Sequence, residues 1–159
     1  GYIIGEENLS KTLRFYFKKW AFKHPRPYDF IRCAELVSGL ELDWYLMDWA
    51  QTTKQIDYQV NSIIGEGSST KIVLKRGRQM PMPIDLLVVF KDGSSQLFNI
   101  PLTMMRGNKP LGKAVLLDSW SWAQPFYVFD LSVEKENIQE VVIDPLGFTA
   151  DVNRKNNRL

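Results

Sequence analysis

Histidine and cysteine are almost missing from this sequence of 159 residues: it holds one of each, His24 and Cys33. A lone thiol cannot close an intrachain disulfide, so no covalent staple holds the fold. A lone imidazole cannot build a His-Glu-x-x-His zinc site, which needs two imidazoles one helical turn apart, and thiolate zinc sites fail on the same count. An all-carboxylate calcium or magnesium site survives the count, but no Asp/Asn-rich loop of EF-hand spacing is present. Long apolar runs are missing too. Leu86-Leu87-Val88-Val89-Phe90 is far short of the roughly 20 residues of a membrane-spanning helix. The opening Gly-Tyr-Ile-Ile-Gly-Glu-Glu has neither a basic start nor an apolar core, so it does not read as a signal peptide. Excess charge is absent as well: 20 basic residues against 18 acidic leave a net charge of +2, which gives no reason to expect a nucleic-acid or membrane-surface partner.

What remains is ordinary globular material. Hydrophobic residues make up 45% and charged residues 24%, which excludes a disordered, collagenous or coiled-coil chain. Aromatics reach 13%, with five Trp, enough bulk for one domain of about 150 residues or two small units.

The apolar period changes near residue 55. Before it the period is helical: Leu9, Leu13, Tyr16, Phe17 and Trp20 share one helix face. Asn8 or Ser10 is the expected cap at its start, and Pro25 and Pro27 stop it near Lys23. Pro27 suits the first turn of a second helix carrying Phe30, Ile31, Ala34 and Val37, and Gly39 suits its left-handed end. Asp43 is the expected cap of a third helix with Leu46, Met47, Trp49 and Ala50, ended by Thr52 and Thr53. After residue 55 the period is two. Residues 56–60, 71–75, 84–90, 96–101, 126–131 and 138–143 read as strands, with Gly77 marking a turn and Asp92-Gly93 a hairpin. Residues 103–124 read as a long loop. The expectation is an α+β chain: a helical segment over 1–54, an antiparallel β-sandwich over 55–152, and a polar, fraying tail over 153–159.

Residues that look chemical mostly have plainer readings. His24 is the one side chain that titrates near neutrality, but no Gly-x-Ser-x-Gly elbow offers it a nucleophile; beside a helix end and two prolines it reads as a packing or helix-terminus residue. Cys33, mid-helix, reads as a buried inert thiol. Glu6 with Glu7, and Glu134 with Glu136, are neighbours in sequence but not convergent acids, and read as solvated charge. Lys71, Lys75, Arg76 and Arg78 read as an exposed hairpin rather than a phosphate site, and Arg154, Lys155 and Arg158 as a solvated tail. The aromatics Trp44, Tyr45, Trp49, Trp120, Trp122, Phe126 and Tyr127 are the most unusual feature. They fit a core, an interface, or a platform on which sugar rings stack. No catalytic, cofactor-binding or metal residue is assigned.

Beyond these residue-by-residue readings, a series of segments resembles a known family. Phe15-Tyr16-Phe17-Lys18-Lys19-Trp20, Pro27-Tyr28-Asp29-Phe30-Ile31, Ser38-Gly39-Leu40-Glu41-Leu42-Asp43-Trp44-Tyr45 and Trp49 resemble the stretch that closes the catalytic domain of zinc metallopeptidases of the aminopeptidase N family (gluzincins). Met80-Pro81-Met82-Pro83-Ile84-Asp85, Lys91-Asp92-Gly93, Ile143-Asp144-Pro145 and Ala150-Asp151-Val152-Asn153 look like the sandwich of a bacterial branch of it. The resemblance covers most of the chain. It implies a non-catalytic C-terminal portion: residues 1–54 as the end of the thermolysin-like catalytic domain and 55–152 as the sandwich, bracing a catalytic domain that lies upstream. Zinc and the peptide substrate would belong to the parent, because the family's zinc helix, distal Glu ligand, Gly-x-Met-x-Asn strand and catalytic Tyr have no counterpart here. Arg14, Lys18, Trp20 and Phe22 would face the missing domain. A periplasmic or secreted location follows only if the parent carries an upstream signal peptide. The alternative is an autonomous carbohydrate- or protein-binding sandwich with a helical arm.

Overall fold

Proline and glycine punctuate the helices. In the computed structural model, which describes residues 1–159, α1 spans Glu6–Trp20, α2 Pro27–Ser38 and α3 Asp43–Gln51. Pro27 occupies the first turn of α2, where a missing N–H costs nothing. The Asp29 carboxylate reaches back to the Arg26 N–H at 2.8 Å. Gly39 ends α2 at φ 73°, the left-handed cap that a side chain would oppose. Three details depart from the sequence reading. α1 starts after Gly5, with no side-chain cap, and the Asn8 amide donates instead to the Ile4 carbonyl. It stops at Trp20, because Ala21 turns to ψ 133° and Phe22 to φ 62° before the prolines are reached. Asp43 is the first residue of α3 rather than its cap; the preceding Leu42 N–H is taken by the Glu35 carboxylate at 3.0 Å.

The strands are β1 (Tyr58–Glu66), β2 (Ser69–Arg76), β3 (Ile84–Phe90), β4 (Ser95–Ile100), β5 (Val115–Leu116), β6 (Phe126–Leu131) and β7 (Ile138–Ile143). They form a three-stranded sheet ordered β1-β2-β6 and a four-stranded sheet ordered β5-β4-β3-β7, antiparallel except for the short β4–β5 pairing. The fold is therefore α+β, three helices followed by a β-sandwich-like pair of sheets. Alternation sets the core: Thr70, Ile72 and Leu74 of β2 and Ile84, Leu86 and Val88 of β3 are buried, and the strand residues between them are not. Each such aliphatic side chain stabilises the fold by about 1.5–3 kcal/mol through removal from water.

By contacts the chain divides into two compact units, Gly1–Thr53 with Thr103–Gly112, and Lys54–Leu102 with Lys113–Leu159. In the helical unit, Tyr16 of α1 meets Phe30 of α2 edge to face at 5.2 Å. The returning segment 103–112, which reads as loop in the sequence, makes a 3-10 turn whose Met105 is buried and accepts the Glu41 N–H through its carbonyl at 3.0 Å.

In the sandwich unit, Gly77 is not a positive-φ turn. Its N–H donates to the Asp57 carbonyl at 2.7 Å, and a Cβ there would sit 2.7 Å from the Asp57 carboxylate, so the constraint is close approach. The polar tail does not fray. Its backbone runs beside β7, with Val141 and Leu159 exchanging both hydrogen bonds and the Ile143 N–H reaching the Asn157 carbonyl at 2.7 Å. Composition is silent here because the pairing is made by main-chain groups, which every residue but proline carries.

Candidate functional site

The aromatics sort by burial. Trp120 is 2% exposed and lies between Tyr58 and Tyr127, with ring centroids 5.3 Å away on each side. Tyr127 continues to Phe129 at 6.3 Å, and Phe129 crosses to Phe98 of the other sheet at 5.6 Å. These five rings form a spine through the sandwich. Their polar atoms are satisfied: the Trp120 indole N–H donates to the Gln124 carbonyl at 2.8 Å, and the Tyr127 hydroxyl to the Asp118 carbonyl at 2.8 Å. The Tyr58 hydroxyl donates to the Met82 carbonyl and accepts the Met82 N–H, at 3.1 and 2.8 Å. Burial pushes the Tyr58 phenol up to about 12, against the smaller opposing pull of the Met82 N–H that its oxygen accepts. Burial raises Tyr127 to about 12 as well, and the Asp118 charge adds to it. None of these rings is a platform. Trp122 is different: it is 61% exposed, as Phe126 is about half exposed beneath the Lys75 ammonium, 5.8 Å from its ring centroid.

On α3, Trp44, Tyr45 and Trp49 form a short ladder with centroids 5.8 and 5.7 Å apart. Tyr45 is raised by burial. It also lines a small apolar cavity of about 140 Å³, shared with Ile3, Ile4, Leu9, Ala34 and Leu42.

The other singled-out residues do not converge. His24 is exposed in the loop before α2, and Cys33 is fully buried within it. Glu6 and Glu7 lie in the first turn of α1, where acidic charge suits the helix dipole, and Glu7 pairs with Lys11 at 2.7 Å, which holds its carboxyl below the usual range. Lys71, Lys75 and Arg76 belong to β2 rather than to a hairpin tip. Lys71 pairs with Glu66 at 2.6 Å and Arg76 donates to the Trp122 carbonyl.

One cluster was not visible as a pair in the sequence: Glu35, Glu41 and Asp43, whose carboxylates lie within 4.8 Å of one another. Gly39 folds the chain back between them, and that turn was the available signal. The cluster is already engaged. Glu35 accepts the Leu42 N–H and binds Arg32 at 3.2 Å, and Glu41 faces Arg106 at 3.8 Å. Three oxygen-only donors without an imidazole or thiolate do not fit a peptidase zinc. With His24 and Cys33 apart from them, no residue set of this chain fits that metal.

The acidic residues in the family-like segments tie loops. Asp144, buried and at φ 50°, accepts the Phe148 N–H at 2.8 Å and, on its other oxygen, the Thr149 N–H and hydroxyl at 2.8 and 2.6 Å. Asp151 accepts the Tyr58 N–H at 2.9 Å and the Asn153 N–H at 2.8 Å. Both Asp144 carboxylate oxygens and both Asp151 oxygens are thus occupied by donors of the protein itself.

What the helical unit does leave open is apolar. Leu13 and Phe17 are 50% and 72% exposed, Phe22 is wholly exposed, and Leu36, Met47 and Trp49 are exposed as well. No helix is long and apolar enough to cross a membrane. Compared with protein-family models and with curated proteins, the sequence finds no match in either.

Proposed function

We propose that this chain is a non-catalytic portion of an aminopeptidase N-like zinc metallopeptidase, and that its role is to brace the catalytic domain. One observation carries the reading beyond the resemblance of the sequence segments: the helical unit keeps Leu13, Phe17, Phe22, Leu36, Met47 and Trp49 in solvent. Single exposed apolar residues are ordinary, but eight large ones, with Phe15 and Tyr28 counted, on a unit of three short helices mark a surface built to be covered. In this reading the parent's zinc activates the water that hydrolyses an N-terminal peptide bond, and no residue of this chain takes part in that step.

The test is an aminopeptidase assay with added zinc. The isolated chain should give no turnover, and a polypeptide including the reading frame upstream of Gly1 should give turnover that a chelator abolishes. Chelator-sensitive turnover by the isolated chain overturns the reading, as does an upstream sequence without two histidines one helical turn apart. A second reading, a carbohydrate- or protein-binding sandwich, is favoured only by exposed Trp122 with Phe126. A glycan titration followed by Trp fluorescence separates the two, since only the second expects saturable binding that Trp122→Ala removes.

A further inference from the structure

Charge on the helical unit is segregated in a way that the near-neutral total hides. From Asn8 to Tyr28 the sequence has six cations, Lys11, Arg14, Lys18, Lys19, Lys23 and Arg26, and no carboxylate. Lys11 is paired with Glu7, and Lys23 donates to the Lys19 carbonyl. Arg14 and Lys18 have no carboxylate within ion-pair distance. They stand four apart, and so do Leu13 and Phe17, so the two cations form a row next to the exposed apolar row on α1.

Phe22 adds a further exposed ring two residues past the end of α1. A phenylalanine at φ 62° sits in a backbone region that non-glycine residues occupy at a cost of order 1 kcal/mol. Here its ring gains no burial in return, because it is wholly exposed.

We propose that Leu13, Phe17 and Phe22, flanked by Arg14 and Lys18, dock onto an acidic protein surface. The inference rests on the bracing reading above, and it adds the chemistry of the partner: the catalytic unit presents carboxylates around apolar pockets at this seam. Apolar anchors supply the energy, while complementary charge selects the partner and fixes its register. A protein surface is favoured over an anionic bilayer by shape. A helix lying in a membrane interface turns one continuous apolar side to lipid, whereas Leu9, Thr12 and Tyr16 of α1 face inward and its exposed apolar residues are split between the Leu13–Phe17 row and Phe15, which lies under the Lys19 ammonium.

The experiment is cross-linking of the parent polypeptide, with a carbodiimide that joins amines only to carboxylates in contact. Links from Lys18 to Asp or Glu upstream of Gly1 are expected, and Lys18→Gln should remove them. In Phe17→Ala the remaining links from this helix should fall about tenfold, the loss typical of an interface anchor. Lys–Lys linkers that join α1 to the upstream domain while the carbodiimide joins nothing overturn the acidic partner and leave the bracing reading standing. No link of either kind to the upstream domain overturns both. Flotation of the 159-residue chain with vesicles containing phosphatidylserine, lost in Phe17→Ala, overturns the protein partner in favour of lipid.

Discussion

Tyr58 should make the sandwich sensitive to alkali. Its phenol is buried against Trp120, bonded to the backbone of Met82, and held at about 12 in the fold, against about 10 in an unfolded chain. The sign follows from linkage. Below pH 10 both states keep the proton and the stabilisation is whole; as pH rises toward 12 the unfolded chain releases its proton first, and folding is disfavoured. With these two values the loss is about 1.4 kcal/mol at pH 11 and about 2.3 kcal/mol at pH 12, since one unit is worth about 1.4 kcal/mol. Other tyrosines and lysines titrate in the same window, so the measurement is a difference. Urea unfolding of wild type and Tyr58→Phe is compared at pH 8 and pH 11. At pH 8 the variant should be weaker by about 1–3 kcal/mol, because the Met82 N–H and carbonyl lose their partner. At pH 11 the gap should narrow by about 1.4 kcal/mol, because phenylalanine has no proton to lose. A gap that stays constant from pH 8 to pH 11 refutes the argument.

Other expectations follow from burial and bonding. Trp120→Ala should cost about 3–5 kcal/mol by opening a cavity in the aromatic spine, whereas Trp122→Ala should change stability by no more than about 0.5 kcal/mol; equal effects in chemical denaturation would contradict the assignment of one to the core and the other to the surface. Asp144→Ala removes three hydrogen bonds from the Asp144–Thr149 loop and should cost about 2–4 kcal/mol, with hydrogen exchange at Phe148 and Thr149 speeding up; unchanged exchange there would remove the loop-tying role. Cys33 is fully buried, so a disulfide reagent such as Ellman's should label it only as the protein opens. Labelling of the native chain at the rate of an unfolded peptide would show that α2 is loosely packed.

Alternation and punctuation carried most of the fold into the sequence. The strands at 84–90, 126–131 and 138–143 begin just after Pro83, Pro125 and Asn137 and end where the apolar run gives way to Lys91, Ser132 and Asp144. Gly39 and Pro27 did the same for α2. The long run of β1 was not legible past residue 60. The strand bulges between Val60 and Ser62, and the bulge breaks the period of two just where a reader follows it. The paired tail was not legible because its bonds are made by backbone, and the Glu35–Glu41–Asp43 cluster because a turn brings together residues six and eight apart.

The helix stripe shows where pattern reading stops. Leu9, Leu13, Tyr16, Phe17 and Trp20 share the period of a helix face, and the period was right. It could not say that the face is wider than the neighbour that covers it. α2 meets Tyr16, while Leu13 and Phe17 stay outside. Hydrophobic periodicity reports which side of a helix prefers to be dry, and only packing reports whether it is. Likewise a net charge of +2 reports a sum, and a run of six cations without a carboxylate disappears into it. The two omissions fall on the same helix. Sequence patterns and totals average over the chain, and α1 is where averaging hides most: its exposed row sets Leu13 and Phe17 beside Arg14 and Lys18.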